Sequence, residues 1–342
     1  MTITTVIPTF RRPALLRRAI ESVLAQSYSD VKVCVYDNAS GDETENVVTE
    51  LAARDARVSY TRRASNLGAA ENFILAAGEI STPLCSFLSD DDYLLPGFFE
   101  AAINALSADP TAGLFAGSTL ELDQAGALRY APLLSWPREG TYASSDAVLW
   151  MLGNRHPTWT GVVFRTPALQ AAGGLDRGAS AALDADAELR VAARSPIVVS
   201  FAPSAVYTAH ADRVSGAETA AVIPSMERII ANMQQVSTLP ADVKKKVVTR
   251  LQRQLRWKLL EISVKAQVRG DDAAARGAAS LLRERYGPRW LGVVVGWALW
   301  VCAHVPPAQG LLTWLEARRL EARAAHARRQ VAALRARQAH DA

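Results

Sequence analysis

Along residues 1–110, short β-branched runs alternate with segments whose apolar residues fall three and four apart, and few folds absorb that alternation. Ile3 to Ile7 is a short β-branched run that stops at Pro8, as a buried strand does. Pro13 to Gln26 sets Leu15, Leu16, Ala19, Ile20, Val23 and Leu24 at helical spacing, with Pro13 where a first helical turn tolerates it. The pattern then repeats as strand Val31 to Tyr36, helix Asp42 to Ala53 with Asp42 as N-cap, and strand Val58 to Thr61. Helix Ala69 to Ala77 and strand Leu84 to Leu88 complete it. Strands separated by helices are βαβ units, which predicts a parallel sheet with right-handed crossovers.

The next hundred residues are less regular. Gly113 to Leu122, Thr160 to Arg165 and Ile197 to Phe201 read as strands, and Ser144 to Leu152 and Ala182 to Ala193 as helices. From about 224 the chain reads as helical, with Val248, Leu251, Leu255, Leu259, Ile262 and Ala266 on one face. The division expected is therefore 1–110, 111–220 and a helical region, 221–342. Residues 290–315 carry no Asp, Glu, Lys or Arg and hold Trp290, Trp297, Trp300 and Trp314. Pro306 and Pro307 interrupt this stretch, leaving an apolar run shorter than the roughly 20 residues of a spanning helix. With Arg283, Arg285 and Arg289 before it and a basic tail after it, 290–342 suits a membrane surface. The competing reading is a buried hairpin or a dimer contact.

Composition narrows the function classes. Of 342 residues, 49% are hydrophobic and 21% charged, enough apolar matter for a large core and too little charge for disorder. The net charge of +4 gives no footprint for a nucleic-acid partner. Three scattered cysteines, Cys34, Cys85 and Cys302, make neither a disulfide framework nor a zinc site. Met1 runs into the first strand without a basic leader, so a cytoplasmic location is expected.

In an open α/β sheet, ligands gather outside the carboxyl ends of the strands, and the polar residues fall there. Pro8, Thr9, Phe10, Arg11 and Arg12 follow the first strand; Asp37 to Asp42 follow the second; Arg63, Asn66 and Gly68 follow the third. Each segment also reads as an ordinary turn. The fourth strand runs into Ser89-Asp90-Asp91-Asp92. Adjacent carboxylates repel unless a cation neutralises them, and an oxygen-only donor set suits Mg²⁺ or Mn²⁺ shared with substrate phosphates. Asp184 falls in the first turn of a helix, as a general base or simply as a complement to the helix dipole. His210, alone after a strand, serves as a metal ligand or as a structural residue.

As an ordered set these segments resemble the family 2 glycosyltransferases of GT-A fold. The similarity is carried by Val6 to Pro13, Gln26 to Asp30, Asp37 to Asp42, Asn66-Leu67-Gly68, Asp90 to Pro96, Gly173 to Asp176 and Asp184, over residues 3 to about 215. The resemblance implies an α/β fold: a Rossmann-like, mostly parallel sheet with flanking helices, plus a C-terminal helical region. It implies an inverting, metal-dependent hexosyl- or deoxyhexosyltransferase using a UDP-, GDP- or dTDP-sugar. Pro8, Thr9, Phe10, Arg11, Asp37, Arg63, Asn66, Gly68 and Asp90 would hold the donor. Asp91, Asp92 and His210 would hold Mg²⁺ or Mn²⁺, and Asp184 would deprotonate the acceptor. The family's Asp-x-Asp falls as Ser89-x-Asp91 or Asp90-x-Asp92, and Asp186 is a rival base. A glycan or lipid-linked acceptor implies bacterial surface polysaccharide or O-antigen assembly, at the inner face of the cell membrane. Two other readings are a non-catalytic sugar-nucleotide scaffold and a nucleotidyltransferase. The second would carry a Gly-rich phosphate loop after the first strand, and Thr9-Phe10-Arg11-Arg12 contains no glycine.

Overall fold

The computed structural model describes residues 1–123, 125–153, 155–209, 219–268 and 270–287, with 310, 314, 317–318, 321–322 and 324–333 beyond. A ten-stranded sheet runs through the described residues. Its first part is parallel. β1 (Ile3–Thr9) lies between β2 (Val31–Asp37) and β4 (Leu84–Phe87), and β3 (Val58–Arg62) adds to β2. Every residue of β1 is buried, Thr4, Thr5 and Thr9 included, as befits a strand covered on both faces.

Beyond β4 the sheet becomes mixed. β6 (Leu114–Asp123) and β10 (Ile197–Ala209) pair in parallel, but β9 (Val162–Arg165) lies antiparallel between β4 and β6. Short strands β5 (Tyr93–Leu94), β7 (Leu128–Tyr130) and β8 (Gly140–Tyr142) add antiparallel edges. The mostly parallel sheet expected from the sequence thus describes β1 to β4, and antiparallel pairing takes over where no crossover helix intervenes.

Helices cover both faces. On one, α1 (Pro13–Leu24), α2 (Thr44–Arg54) and α4 (Phe98–Ala108) pack Leu16, Ile20, Val48, Phe98 and Leu106 against Ile3, Ile7 and Val33. On the other, α3 (Ala69–Gly78), α5 (Ser144–Met151) and α7 (Leu183–Ala192) pack around Val6, Phe87 and Phe164. The opposite placement of Ile7 and Val6 is the two-residue period of a strand. Helix α2 begins later than expected: Glu43 takes the N-cap position, and Asp42, one residue earlier, accepts from the Thr44 backbone N–H at 3.0 Å. Gly161 ends a 3₁₀ turn (Trp159–Gly161) where a Cβ would stand 2.4 Å from Thr119 Oγ1 and 2.8 Å from the Gly117 carbonyl oxygen. Only glycine lets that turn close onto β6.

After α6 (Thr166–Ala171) and a 3₁₀ segment (Arg177–Ala182) comes α7. The C-terminal helices are α8 (Thr219–Gln235), α9 (Ala241–Val268) and α10 (Asp272–Leu281). The buried stripe of α9 runs through Val243, Val247, Leu251, Leu255, Leu259, Ile262 and Ala266, so Val247 takes the place expected for Val248. Among the described residues no helix is long and apolar enough to cross a membrane. Residues 288–309, with most of the apolar stretch, lie outside the described residues, as does His210.

Candidate active site

The carboxyl ends of β1, β2 and β4 open onto a cleft of about 820 Å³. One wall carries Pro8, Thr9, Phe10, Arg12, Asn38, Asn66, Gly68, Asp90 and Asp91. The other carries Trp159, Arg177, Ser180, Leu183, Asp184 and Thr208. The volume falls in the range of small-molecule sites.

The loop after β4 is the most ordered part of the first wall. Asp90 is buried and accepts from the Thr9 hydroxyl at 2.7 Å, the Phe10 backbone N–H at 3.3 Å and Arg12 Nη1 at 3.2 Å. Burial pushes its carboxyl above the usual range, and these donors oppose that. Asp91 lines the cleft and accepts from Arg12 Nη1 at 2.7 Å, while Arg18 donates to its carbonyl. Arg12 thus bridges Asp90 and Asp91 and already supplies the cation that adjacent carboxylates need.

Asp92 differs from its neighbours. It is fully buried, takes the Thr160 hydroxyl at 2.8 Å and the Thr208 backbone N–H at 2.9 Å, and is not among the residues lining the cleft. Burial, reinforced by the Asp91 charge, pushes its carboxyl up to about 8. The structure seats it as a tie from the loop to β10, where the sequence reading has a metal ligand.

Three of the expected donor residues do not line the cleft. Asp37 is 1% exposed; it accepts from the Ser40 backbone N–H at 2.9 Å and from the Tyr60 hydroxyl at 2.7 Å. Arg11 and Ala39 hold φ of 57° and 63°, conformations that cost a non-glycine residue energy. Arg11 locks the two turns together by donating its backbone N–H to Ser40 Oγ at 2.9 Å and its Nε to the Ser40 carbonyl at 3.0 Å. Arg63 lies over the Tyr36 ring and donates to Asn72 Oδ1 at 3.1 Å and to Glu79. Asn66 reaches the cleft: its Oδ1 accepts from Asn38 and from the Gly68 backbone N–H, and Gly68 starts α3 with φ of 82°.

On the second wall, α7 separates the two candidate bases. Asp184 lines the cleft. Asp186 is 1% exposed, accepts from Arg190 Nε at 2.8 Å and from Asn232 of α8 at 2.8 Å, and so holds the helices together. Glu188, one turn beyond Asp184, is fully buried against His156. The walls are joined at the rim, where Arg177 Nε donates to Glu71 Oε2 at 2.8 Å.

The structure therefore gathers Pro8, Thr9, Phe10, Asn66, Gly68, Asp90, Asp91 and Asp184 around one space. The sequence reading left Arg12, Asn38 and Glu188 without a site role. Arg12 was visible as half of an Arg-Arg pair at a strand end; the others are recognised only by their spatial partners. Trp159 stacks on Phe87 with centroids 5.1 Å apart and also lines the cleft.

A divalent ion can be tested against these donors. Among the described residues there is no group of three or more His, Cys, Asp or Glu placed to hold a metal. One carboxylate facing the cleft, Asp91, fits the other arrangement, in which Mg²⁺ or Mn²⁺ takes one or two carboxylates and completes its shell from phosphate and water.

This architecture has known relatives. The glycosyl transferase family 2 profile matches residues 4–169, which include β1 to β9 and the first wall of the cleft. Over this segment, just under half of its length, the chain is similar to the family 2 glycosyltransferases. A GalNAc(5)-diNAcBac-PP-undecaprenol beta-1,3-glucosyltransferase of Campylobacter jejuni is 36% identical over 97 residues, 27% of this chain and 30% of that protein. An uncharacterized glycosyltransferase of Nostoc sp. is 27% identical over 184 residues, 50% of this chain and 52% of that one. The alignments thus span only 30% and 52% of these relatives' own length. Among solved structures, Staphylococcus aureus TarS 1–349 in complex with UDP-GlcNAc superposes with a TM-score of 0.67 at 14% identity, covering 95% of this chain and 90% of that one. Mannosyltransferase PcManGT from Pyrobaculum calidifontis, in complex with GDP-Man and Mn²⁺, gives 0.53 at 17% identity, covering 94% and 85%. These likenesses establish the fold.

Proposed function

We propose that this chain transfers a sugar from a nucleoside-diphosphate sugar to an acceptor hydroxyl, with inversion at the anomeric carbon. The observation that carries the reading is the two-walled cleft, with Arg12 and Asp91 on the donor side and Asp184 across from them. In a single displacement the acceptor oxygen bonds to the anomeric carbon as the bond to the diphosphate oxygen breaks. The electron pair leaves with the diphosphate, and the acceptor proton passes to Asp184. Arg12 offers fixed positive charge beside the leaving group. Asp90 holds Thr9, Phe10 and Arg12 in place rather than meeting the ligand alone. Asp37 shapes the base-binding turn through Ser40 and Tyr60.

Mg²⁺ or Mn²⁺ is proposed at Asp91, with His210 as a further ligand, where the ion would neutralise charge on the departing diphosphate. Asp92, buried and bonded elsewhere, is not needed for it. A neighbouring fold seen with Mn²⁺ supports this reading. A lipid-linked acceptor and a role in surface polysaccharide assembly are supported by the undecaprenol-linked substrate of the C. jejuni relative. With such an acceptor the chain would work at the inner face of the cell membrane, touching it through residues 290–342.

The test is a thermal-shift screen of the purified chain against UDP-, GDP- and dTDP-sugars, with and without Mn²⁺. A ligand that binds only the native state stabilises it by about 2.7 kcal/mol at 100 times its Kd. A rise in Tm with one nucleotide class that needs Mn²⁺ is expected. No rise with any donor removes the donor site from the cleft.

A further inference from the structure

Helix α7 carries two carboxylates on one face, Asp184 and, one turn later, Glu188. Asp184 meets the cleft; Glu188 does not, and its side chain is wholly buried. An unpaired carboxylate in that position is costly. One of its oxygens, Oε2, lies 3.4 Å from His156 Nδ1, and the other, Oε1, has no hydrogen-bond partner among the described residues. His156 Nδ1 also lies 2.7 Å from the Pro157 carbonyl oxygen. A carbonyl only accepts, so Nδ1 carries a proton, directed at Pro157 and shared toward Glu188. The tautomer is thereby fixed, and Nε2 decides whether the ring is neutral or cationic.

We propose that His156 is a positioning residue for the candidate base: held on Glu188, it stands as a cation behind Asp184 and offsets the repulsion between the two α7 carboxylates. The inference rests on the reading of Asp184 as the base. Its charge balance favours the cation. Burial opposes a charge on His156, but the hydrogen bond to Glu188 and the fields of Asp184 and Glu188 outweigh it and raise the ring to about 9. Burial and the Asp184 charge push Glu188 up, and the hydrogen bond and charge of His156 oppose that. Other charges on the packed elements are engaged elsewhere. Arg190 of α7 pairs with Asp186, Arg228 of α8 with Asp176, and Arg177 with Glu71. Arg155 lies over the Trp150 ring, and Asp146 of α5 is exposed.

The consequence is a coupling that can be read from both ends. A positive His156 helps Asp184 stay ionised and ready to accept a proton. By reciprocity, the Asp184 charge raises the titration midpoint of His156. The chain has five histidines, so the His156 ring signal can be assigned by its loss in His156→Asn. The experiment is an NMR titration of the histidine ring protons in the wild type, Asp184→Asn and Glu188→Gln, which needs no donor. His156 should titrate clearly above the ordinary 6.5 or so. Asp184→Asn should lower its midpoint by roughly one pH unit, and Glu188→Gln by more. A wild-type midpoint near 6.5, or one that Asp184→Asn leaves unmoved, overturns the proposal. Asp184→Asn changes a cleft residue, so the test stands even where Glu188→Gln fails to fold.

Once a donor is identified, the acid limb of kcat/KM should move to higher pH in His156→Asn, because removing the cation makes Asp184 harder to ionise. It should return toward the wild type in His156→Asn/Glu188→Gln. Full turnover in Asp184→Ala would dismiss the base itself. An inactive Asp184→Ala beside an unshifted profile in His156→Asn would dismiss the positioning role and leave the base standing.

Discussion

Asp90, Asp91 and Asp92 are consecutive, yet their surroundings give them different work. Asp90 gathers Thr9, Phe10 and Arg12; Asp91 meets the cleft; Asp92 bonds to Thr160 and Thr208. Substitution should separate them. Asp92→Ala strips two buried groups of their partner and should cost about 2–3 kcal/mol in thermal unfolding. Asp92→Asn preserves the shape and both bonds, and should keep stability and donor binding alike. Asp91→Asn weakens its ion pair with the partly exposed Arg12, at a cost of about 1 kcal/mol, and should lose the Mn²⁺-dependent rise in Tm. Equal effects of Asp91→Asn and Asp92→Asn on donor binding would reverse the assignment. The sequence shows that a triple-Asp run lies at a strand end. It does not show which carboxylate turns inward, because Thr160 and Thr208 approach from elements 68 and 116 residues further along.

At the scale of elements, α7 does three jobs on successive positions. Asp184 faces the cleft, Asp186 anchors α8 through Asn232, and Glu188 holds His156. Residues two apart on a helix point to nearly opposite sides, so only one of Asp184 and Asp186 can serve the cleft. The spacing alone leaves the choice open, since it depends on where α8 docks. Removing the Asp186 carboxylate strands the buried Arg190 charge. Asp186→Ala should therefore lose about 3–5 kcal/mol in urea unfolding, whereas Asp184→Asn should lose little. Comparable losses would mean that both are structural. The first four strands and their helices were legible because each is local: a buried β-branched run, then a helical stripe. The antiparallel direction of β9, the second half of β10 and α4 were not. β10 continues past Phe201 because β6 pairs with it across a bulge near Pro203, a tertiary effect without local signature. The spacing of Phe98, Phe99, Ala102 and Leu106 in α4 is helical but sits next to the acidic loop that drew the functional reading.

For the whole molecule, the cleft lies between a parallel half that presents strand ends and a mixed half that presents α7, joined at the rim by Arg177 and Glu71. Chelation should mark the division between them. EDTA should abolish donor-induced stabilisation while leaving the Tm of the free chain in place, because the fold is held by two apolar layers. A fall in the Tm of the free chain with EDTA would point instead to a structural ion. The central claim is that this cleft breaks a sugar–diphosphate bond with Asp91 on one wall and Asp184 on the other. The most direct measurement is the release of nucleoside diphosphate from UDP-, GDP- and dTDP-sugars, with Mn²⁺ and a bacterial membrane extract as acceptor source. It would compare the wild type with folded Asp91→Ala and Asp184→Ala. Release from one donor class is expected, with Asp184→Ala slower by roughly 10²- to 10⁴-fold and Asp91→Ala comparably impaired. Equal release by all three proteins, or none by the wild type with any donor, would contradict the claim.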